Sequence, residues 1–218
     1  MKIGTIEVTY LGHDGFFLEG KNRIMIDPYK VTTQRKADIV CVTHEHYDHC
    51  NPEDLRKITT PRTTYIGSIG TKDQVSDIPF QEAFFLQPGE ERVVQGVQIR
   101  AVPAYNIDKF RSPGNPFHPK DMKGVGFLLT MEGVTVYHAG DTDAIPEMAG
   151  LPKGIDLAFL PVSGTYVMTA DEAKKAIELF HPKQVIPMHY GVIVGSLADA
   201  KRLGDRVGET KVTVLRAA

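Results

Sequence analysis

Three histidines and an aspartate fall within six residues, His44-Glu45-His46-Tyr47-Asp48-His49. Imidazole and carboxylate are the donors through which proteins hold zinc, manganese, iron or nickel. His44 and His46 are two apart, so in an extended segment they project the same way and can chelate one ion. Asp48 and His49 follow at once and can hold a second ion beside it. The same residues could also form a solvated histidine-rich loop. Against that stands the segment before them, where Ile39-Val40-Cys41-Val42 is continuously apolar, as suits a strand buried on both faces, and runs directly into Thr43-His44.

Other candidate groups are scattered along the chain. Asp141 follows a strand pattern and Gly140, which places it to project into a cleft; the alternative is an N-cap for residues 142–148. His189 ends a strand pattern and precedes Tyr190-Gly191, with a hydrogen-bonded core histidine as the alternative. His118 sits in the stretch 105–123, which reads as a long irregular loop and is therefore expected to be functional or mobile. Asp27 can orient a ligating imidazole. Lys109, Arg111, Lys120 and Lys123 could meet an anionic substrate, or could simply be solvated. His138 reads as structural, His181 as a helix C-terminus, and Cys50 as a small buried residue.

These groups need strands to aim them. Ile6, Val8 and Tyr10 alternate, and strands are expected at 15–18, 23–27, 64–66, 91–94, 97–102, 125–131, 134–137, 155–162 and 183–188. Glu132-Gly133 reads as a hairpin turn. Asn51-Pro52-Glu53 starts one helix, and a capping box at Thr169 and Glu172 starts another, with Ala173, Ala176, Ile177 and Phe180 on one face. A helix over 197–207 and a strand over 212–215 close the chain. Strands dominate both halves with helices between them, so the expected class is α+β, two packed sheets covered outside by helices.

The length suits a single domain over 1–218. The 25 basic and 27 acidic residues leave a net charge of −2, which gives no footprint for nucleic acid or an anionic membrane. No run approaches the ~18 apolar residues of a membrane helix, and two cysteines are too few for a disulfide framework. Met1-Lys2-Ile3 leads straight into a strand pattern with no secretory signal, so the expected compartment is the cytoplasm. The expected partner is a small molecule, with an anion among the candidates, and a homo-oligomer is left open.

The segment His44-x-His46-x-Asp48-His49 resembles the metal-binding motif of the metallo-β-lactamase superfamily. Tyr10-Leu11-Gly12-His13, Ile26-Asp27-Pro28, Tyr137-His138-Ala139-Gly140-Asp141-Thr142 and Ile186-Pro187-Met188-His189-Tyr190 resemble its ascorbate-6-phosphate lactonase-like branch. The resemblance implies a four-layer αββα sandwich holding two divalent ions, zinc first, with manganese, nickel or iron as alternatives. It makes Asp141 the carboxylate shared by both ions, His189 the last ligand of the second, and His13 a neighbour of the site or a substrate contact. Relatives carry a third histidine for the first ion where this chain has Asn106, so either that site is one ligand short or His118 swings in when the loop closes. Asn106, like His13 and Asp27, is placed behind the ligands or against the substrate, with its loss expected to have little effect on metal binding. The implied activity is hydrolysis of an ester, lactone or phosphoester by a metal-bridging hydroxide, with Asp48 and Asp141 as its catalytic carboxylates. Rival readings are a phosphodiesterase or nuclease, an iron oxidoreductase, and a metal-binding protein without activity.

Overall fold

The first seven strands join in chain order into one sheet in the computed structural model, which describes residues 1–218. They are β1 (Lys2–Ile3), β2 (Ile6–Gly12), β3 (Gly15–Glu19), β4 (Arg23–Ile26), β5 (Ile39–Val42), β6 (Thr64–Ser68) and β7 (Glu82–Leu86). After them come β8 (Glu91–Val94), β9 (Val97–Pro103), a small hairpin of β10 (Phe110–Ser112) and β11 (Asn115–Pro116), then β12 (Val125–Met131) and β13 (Val134–His138). The remaining strands are β14 (Leu157–Pro161), β15 (Gln184–Met188), β16 (Arg206–Val207) and β17 (Thr210–Val212). The second sheet has eight strands in the order β16-β17-β15-β14-β13-β12-β9-β8.

Each sheet is antiparallel in one part and parallel in another, with β4 to β7 parallel in the first and β13, β14, β15 and β17 parallel in the second. Parallel neighbours need crossover connections. Three helices lie in such connections, α1 (Pro52–Ile58), α2 (Ala170–Phe180) and α3 (Leu197–Arg202). Asn51 caps α1 by accepting from the Asp54 amide, and Thr169 and Glu172 cap α2 reciprocally, as their sequence spacing implies.

Period-two alternation explains the layers. Ile24, Ile26, Ile39 and Cys41 belong to the large core between the sheets, while their chain neighbours Met25, Val40 and Val42 pack outward with Leu55 and Ile58 of α1. On the opposite flank Tyr137 of β13 meets Phe180 of α2 edge-on at 5.6 Å. The layering is therefore αββα. Between the sheets Phe16 stacks on Phe159 with ring centroids 3.7 Å apart. No helix is long and apolar enough to cross a membrane.

Several elements differ from the sequence pattern. The helix expected over 197–207 stops at Arg202, because Gly204 at φ 79° breaks it and residues 206–207 pair as β16. The last strand ends at Val212, where its pairing with β15 runs out at Val185. β7 was not anticipated: it is an edge strand, exposed or half-buried over most of its length, so it lacks a clear alternation.

Phe159 carries contacts from both sheets, so Phe159→Ala should destabilise the fold by about 3–5 kcal/mol, read as a lowered midpoint in urea unfolding. A midpoint shifted no more than that of a substitution at exposed Val93 would show that the stacked pair does not hold the sheets together.

Candidate metal centre

The candidate residues gather where β4, β5, β13, β14 and β15 end. Open sheets containing parallel strands place their ligands outside the carboxyl ends of those strands. Two backbone bonds close this edge: the Val125 amide donates to the Thr43 carbonyl at 3.0 Å, and the His189 amide to the His13 carbonyl at 2.9 Å.

Asp27, directly after β4, organises the first segment. Its carboxylate accepts from the Thr43 amide at 2.8 Å, the Thr43 hydroxyl at 2.6 Å and His49 Nδ1 at 2.8 Å. The Thr43 hydroxyl hydrogen is thereby used, so its oxygen accepts from His44 Nδ1 at 3.1 Å. His44 thus carries its proton on Nδ1 with a bare Nε2 turned inward, and His49, donating through Nδ1, turns its Nε2 inward as well.

Asn106 does the same for His118. The Asn106 amide nitrogen donates to the Tyr166 carbonyl at 2.9 Å and to Asp143 at 3.3 Å. Its Oδ1 accepts from the His118 amide at 2.8 Å and from His118 Nδ1 at 3.0 Å, leaving His118 Nε2 bare. The expectations of a dispensable Asn106 and of an irregular loop that closes on metal are corrected here. The stretch is a hairpin, with β10 paired to β11 and the Asn106 amide bonded to the His118 carbonyl, and it holds His118 in place by itself. Because β9 and β12 are antiparallel neighbours, the chain returns past Asn106 and delivers an imidazole from twelve residues further on.

The ligand atoms of His44, His46 and His118 form one group within 4.8 Å. His46 Nδ1 stands 3.1 Å from both His44 Nε2 and His118 Nε2, and Asp141 Oδ2 is 3.1 Å from His118 Nε2. A second group holds Asp48, His49 and His189 with His13, and a third holds His49, His189 and Asp141 with Asp14. Asp141 Oδ1 is 3.4 Å from His49 Nε2, and Oδ2 is 3.2 Å from His189 Nε2. Bonds of about 2.0–2.2 Å put the corners of a tetrahedron about 3.3–3.6 Å apart, close to the 3.1–3.4 Å spacings found here. His49 Nε2, His189 Nε2 and Asp141 Oδ1 are buried without hydrogen-bond partners. Such a donor set fits metal ions. Asp141 caps no helix, since the next turn, Pro146–Gly150, starts from Ile145.

Electrostatics divide the site. Burial, with His49 beside it, holds His44 well below the ordinary imidazole value, and burial with His118 brings His46 down to about 4. Both keep lone pairs free at neutral pH. Burial also opposes charge on His49 and His189, but Asp141 overcomes it, aided by Asp27 for His49 and by Asp14 for His189; His49 rises well above its usual value and His189 to about 9. Burial likewise opposes ionisation of Asp141, yet His189, His49 and His118 hold it well below the usual carboxylate range.

His13 lies at this edge with Nε2 2.9 Å from Asp48 Oδ2. His138 is structural: its Nε2 donates to the Asp14 carbonyl at 2.9 Å, and its Nδ1 accepts from the Gly140 amide. His181 ends α2 and Cys50 is buried. Sequence reasoning missed Asp14, Ser163 (3.0 Å from His189 Nδ1) and Asp143, which accepts from the amides of Ile107 and Asp108. Asp14 and Ser163 look like ordinary turn residues, and Asp143 is hidden behind Asp141 in the same segment.

A family model for the β-lactamase superfamily domain matches residues 7–189. The chain belongs to this family. Its layering is the metallo-β-lactamase fold. The chain is similar to a UPF0173 metal-dependent hydrolase of Pyrococcus furiosus, 34% identical over 97% of this chain and 96% of that one. Among solved structures it resembles a candidate metal-dependent hydrolase from Parabacteroides distasonis, with TM-score 0.82, 33% identity and coverage of 96% and 92%. It also resembles Igni18, a metallo hydrolase from Ignicoccus hospitalis, with TM-score 0.77, 26% identity and coverage of 98% and 96%.

A cavity of 380 Å³ opens over the centre of this superfamily member, lined by His46, Asp48, His118 and Asp141 with Tyr47, Arg111, Phe117, Tyr166 and Ile193. Of the four basic residues in the loop, Lys109 pairs with Asp108 and Glu172, Lys120 with Glu147, and Lys123 with Gln87. Arg111 alone lines the cavity, its guanidinium 5.3 Å from the Phe117 ring.

Because Asn106 fixes both the position and the tautomer of His118, Asn106→Ala should weaken metal retention by about tenfold or more, measured by competition with a chelator. Unchanged affinity would make the Asn106 amide irrelevant to the centre.

Proposed function

We propose that this chain is a binuclear metal-dependent hydrolase acting on an ester, lactone or phosphoester of a small anionic metabolite. One observation carries the two-ion reading: Asp141 places Oδ2 3.1 Å from His118 Nε2 and 3.2 Å from His189 Nε2, and Oδ1 3.4 Å from His49 Nε2, so one carboxylate lies against both clusters of imidazoles. His44, His46, His118 and Asp141 would hold the first ion, and Asp48, His49, Asp141 and His189 the second. Divalent ions there would supply Lewis acidity and a water acidic enough to ionise near neutral pH. Hydrolase chemistry is further supported by the names of the relatives that this chain resembles.

The chain's own groups set the rest. Burial works against a charged Asp48, but the hydrogen bond from His13 brings its pKa down to about 2, so at neutral pH it is a carboxylate at the cavity floor. In that state it accepts a proton-bearing water and aligns it toward the substrate. Arg111 faces the cavity without a carboxylate partner and would receive an anionic substituent, while Phe117, Tyr166 and Ile193 would cover an apolar body. The cavity volume suits a small molecule, and the net charge of −2 offers little to a nucleic acid.

A chromogenic ester bearing a carboxylate tests both halves of this reading. Asp141→Asn should lower kcat by about a hundredfold or more, and Arg111→Ala should raise KM for the charged ester while leaving that for p-nitrophenyl acetate unchanged. Near-normal turnover by Asp141→Asn would contradict the mechanism, and a KM unaffected by Arg111→Ala would contradict the substrate class.

A further inference from the structure

Asp14 lies in the turn between β2 and β3, fully buried, and neither of its carboxylate oxygens has a hydrogen-bond partner. Leaving a buried polar group unmatched is costly, most of all for a group that can ionise. The turn does not explain the residue. Only the Asp14 backbone is used there, its carbonyl accepting from His138, and asparagine or serine would serve such a turn equally well.

What surrounds the side chain is the metal centre. Ligand atoms of Asp14, His49, Asp141 and His189 all lie within 4.8 Å of one another. The group containing Asp48 shares His49 and His189 with this one. Two imidazoles are therefore flanked by three carboxylates.

We infer that Asp14 is a further donor to the second ion, and that it makes the two metal positions chemically different. This rests on the two-ion reading above. The first position has three imidazoles and one carboxylate oxygen, a set that suits tetrahedral zinc. With Asp14 the second position has oxygens from Asp14, Asp48 and Asp141 beside two imidazole nitrogens. Five donors rich in carboxylate oxygen suit a six-coordinate ion, manganese or ferrous iron, with one place left open. Asp14 is then a specificity-determining residue for the metal.

The test is reconstitution of metal-stripped wild type, Asp14→Asn and Asp14→Ser with manganese and with zinc, each affinity read by chelator competition and bound manganese by its paramagnetic resonance spectrum. Wild type should take two ions. Both variants should lose about tenfold or more in manganese affinity at the weaker position, change the manganese spectrum, and keep the zinc affinity of the tighter one. Equal manganese affinity and an identical spectrum in wild type and variants would overturn the assignment while leaving the two-ion reading intact. A wild type that takes only one ion would overturn both. Two substitutions of different size guard against one that merely disturbs the turn, which circular dichroism would reveal.

Discussion

This fold crowds imidazole nitrogens and carboxylate oxygens toward common points at one buried edge, and the rest of the structure holds them there. The outward nitrogens of His44, His49, His118 and His189 are engaged by Thr43, Asp27, Asn106 and Ser163, so their inner nitrogens are presented inward. Six buried atoms there have no partner: His13 Nδ1, His49 Nε2, His189 Nε2, Asp141 Oδ1 and both oxygens of Asp14. Leaving a buried polar group unmatched costs about 1–3 kcal/mol, against about 5–15 kcal/mol for the entire stability of a typical domain. Bound cations remove that penalty, which ties the stability of this edge to metal.

Holding such an arrangement takes rigid strand ends and strained connections. His13, Asp27 and His189 all sit at positive φ, between 43° and 59°, a region that non-glycine residues rarely adopt. Each lies directly beyond a strand or in a tight turn, and the strain turns a side chain or carbonyl toward the site. At Gly140 a Cβ would meet the Val125 carbonyl oxygen at 2.8 Å, so only glycine lets the chain turn there and deliver Asp141. The backbone bonds between the two sheets then fix the first metal-binding segment against His189.

Much of this was legible in the residues. The apolar run before His44, the alternation of β2 and the capping boxes report local physics, and the layered fold follows from them. The dense segment 44–49 announces itself because few folds need three histidines in six residues. His118 could only be raised as a candidate, since its approach depends on the antiparallel pairing of β9 with β12, a relation between distant segments. The weight of Asn106 was underestimated for a related reason: an amide that orients an imidazole looks the same in sequence as one that merely replaces it. Asp14 left no signal, because an acid in a turn is ordinary until the turn proves to be buried against Asp141 and His189.

The measurement that bears most directly on this account is anomalous scattering from crystals grown with metal. Two peaks about 3.5–4 Å apart, one among His44, His46 and His118 and the other beside His49 and His189, with Asp141 between them, are the predicted result. A single peak, or none at this edge, would contradict it.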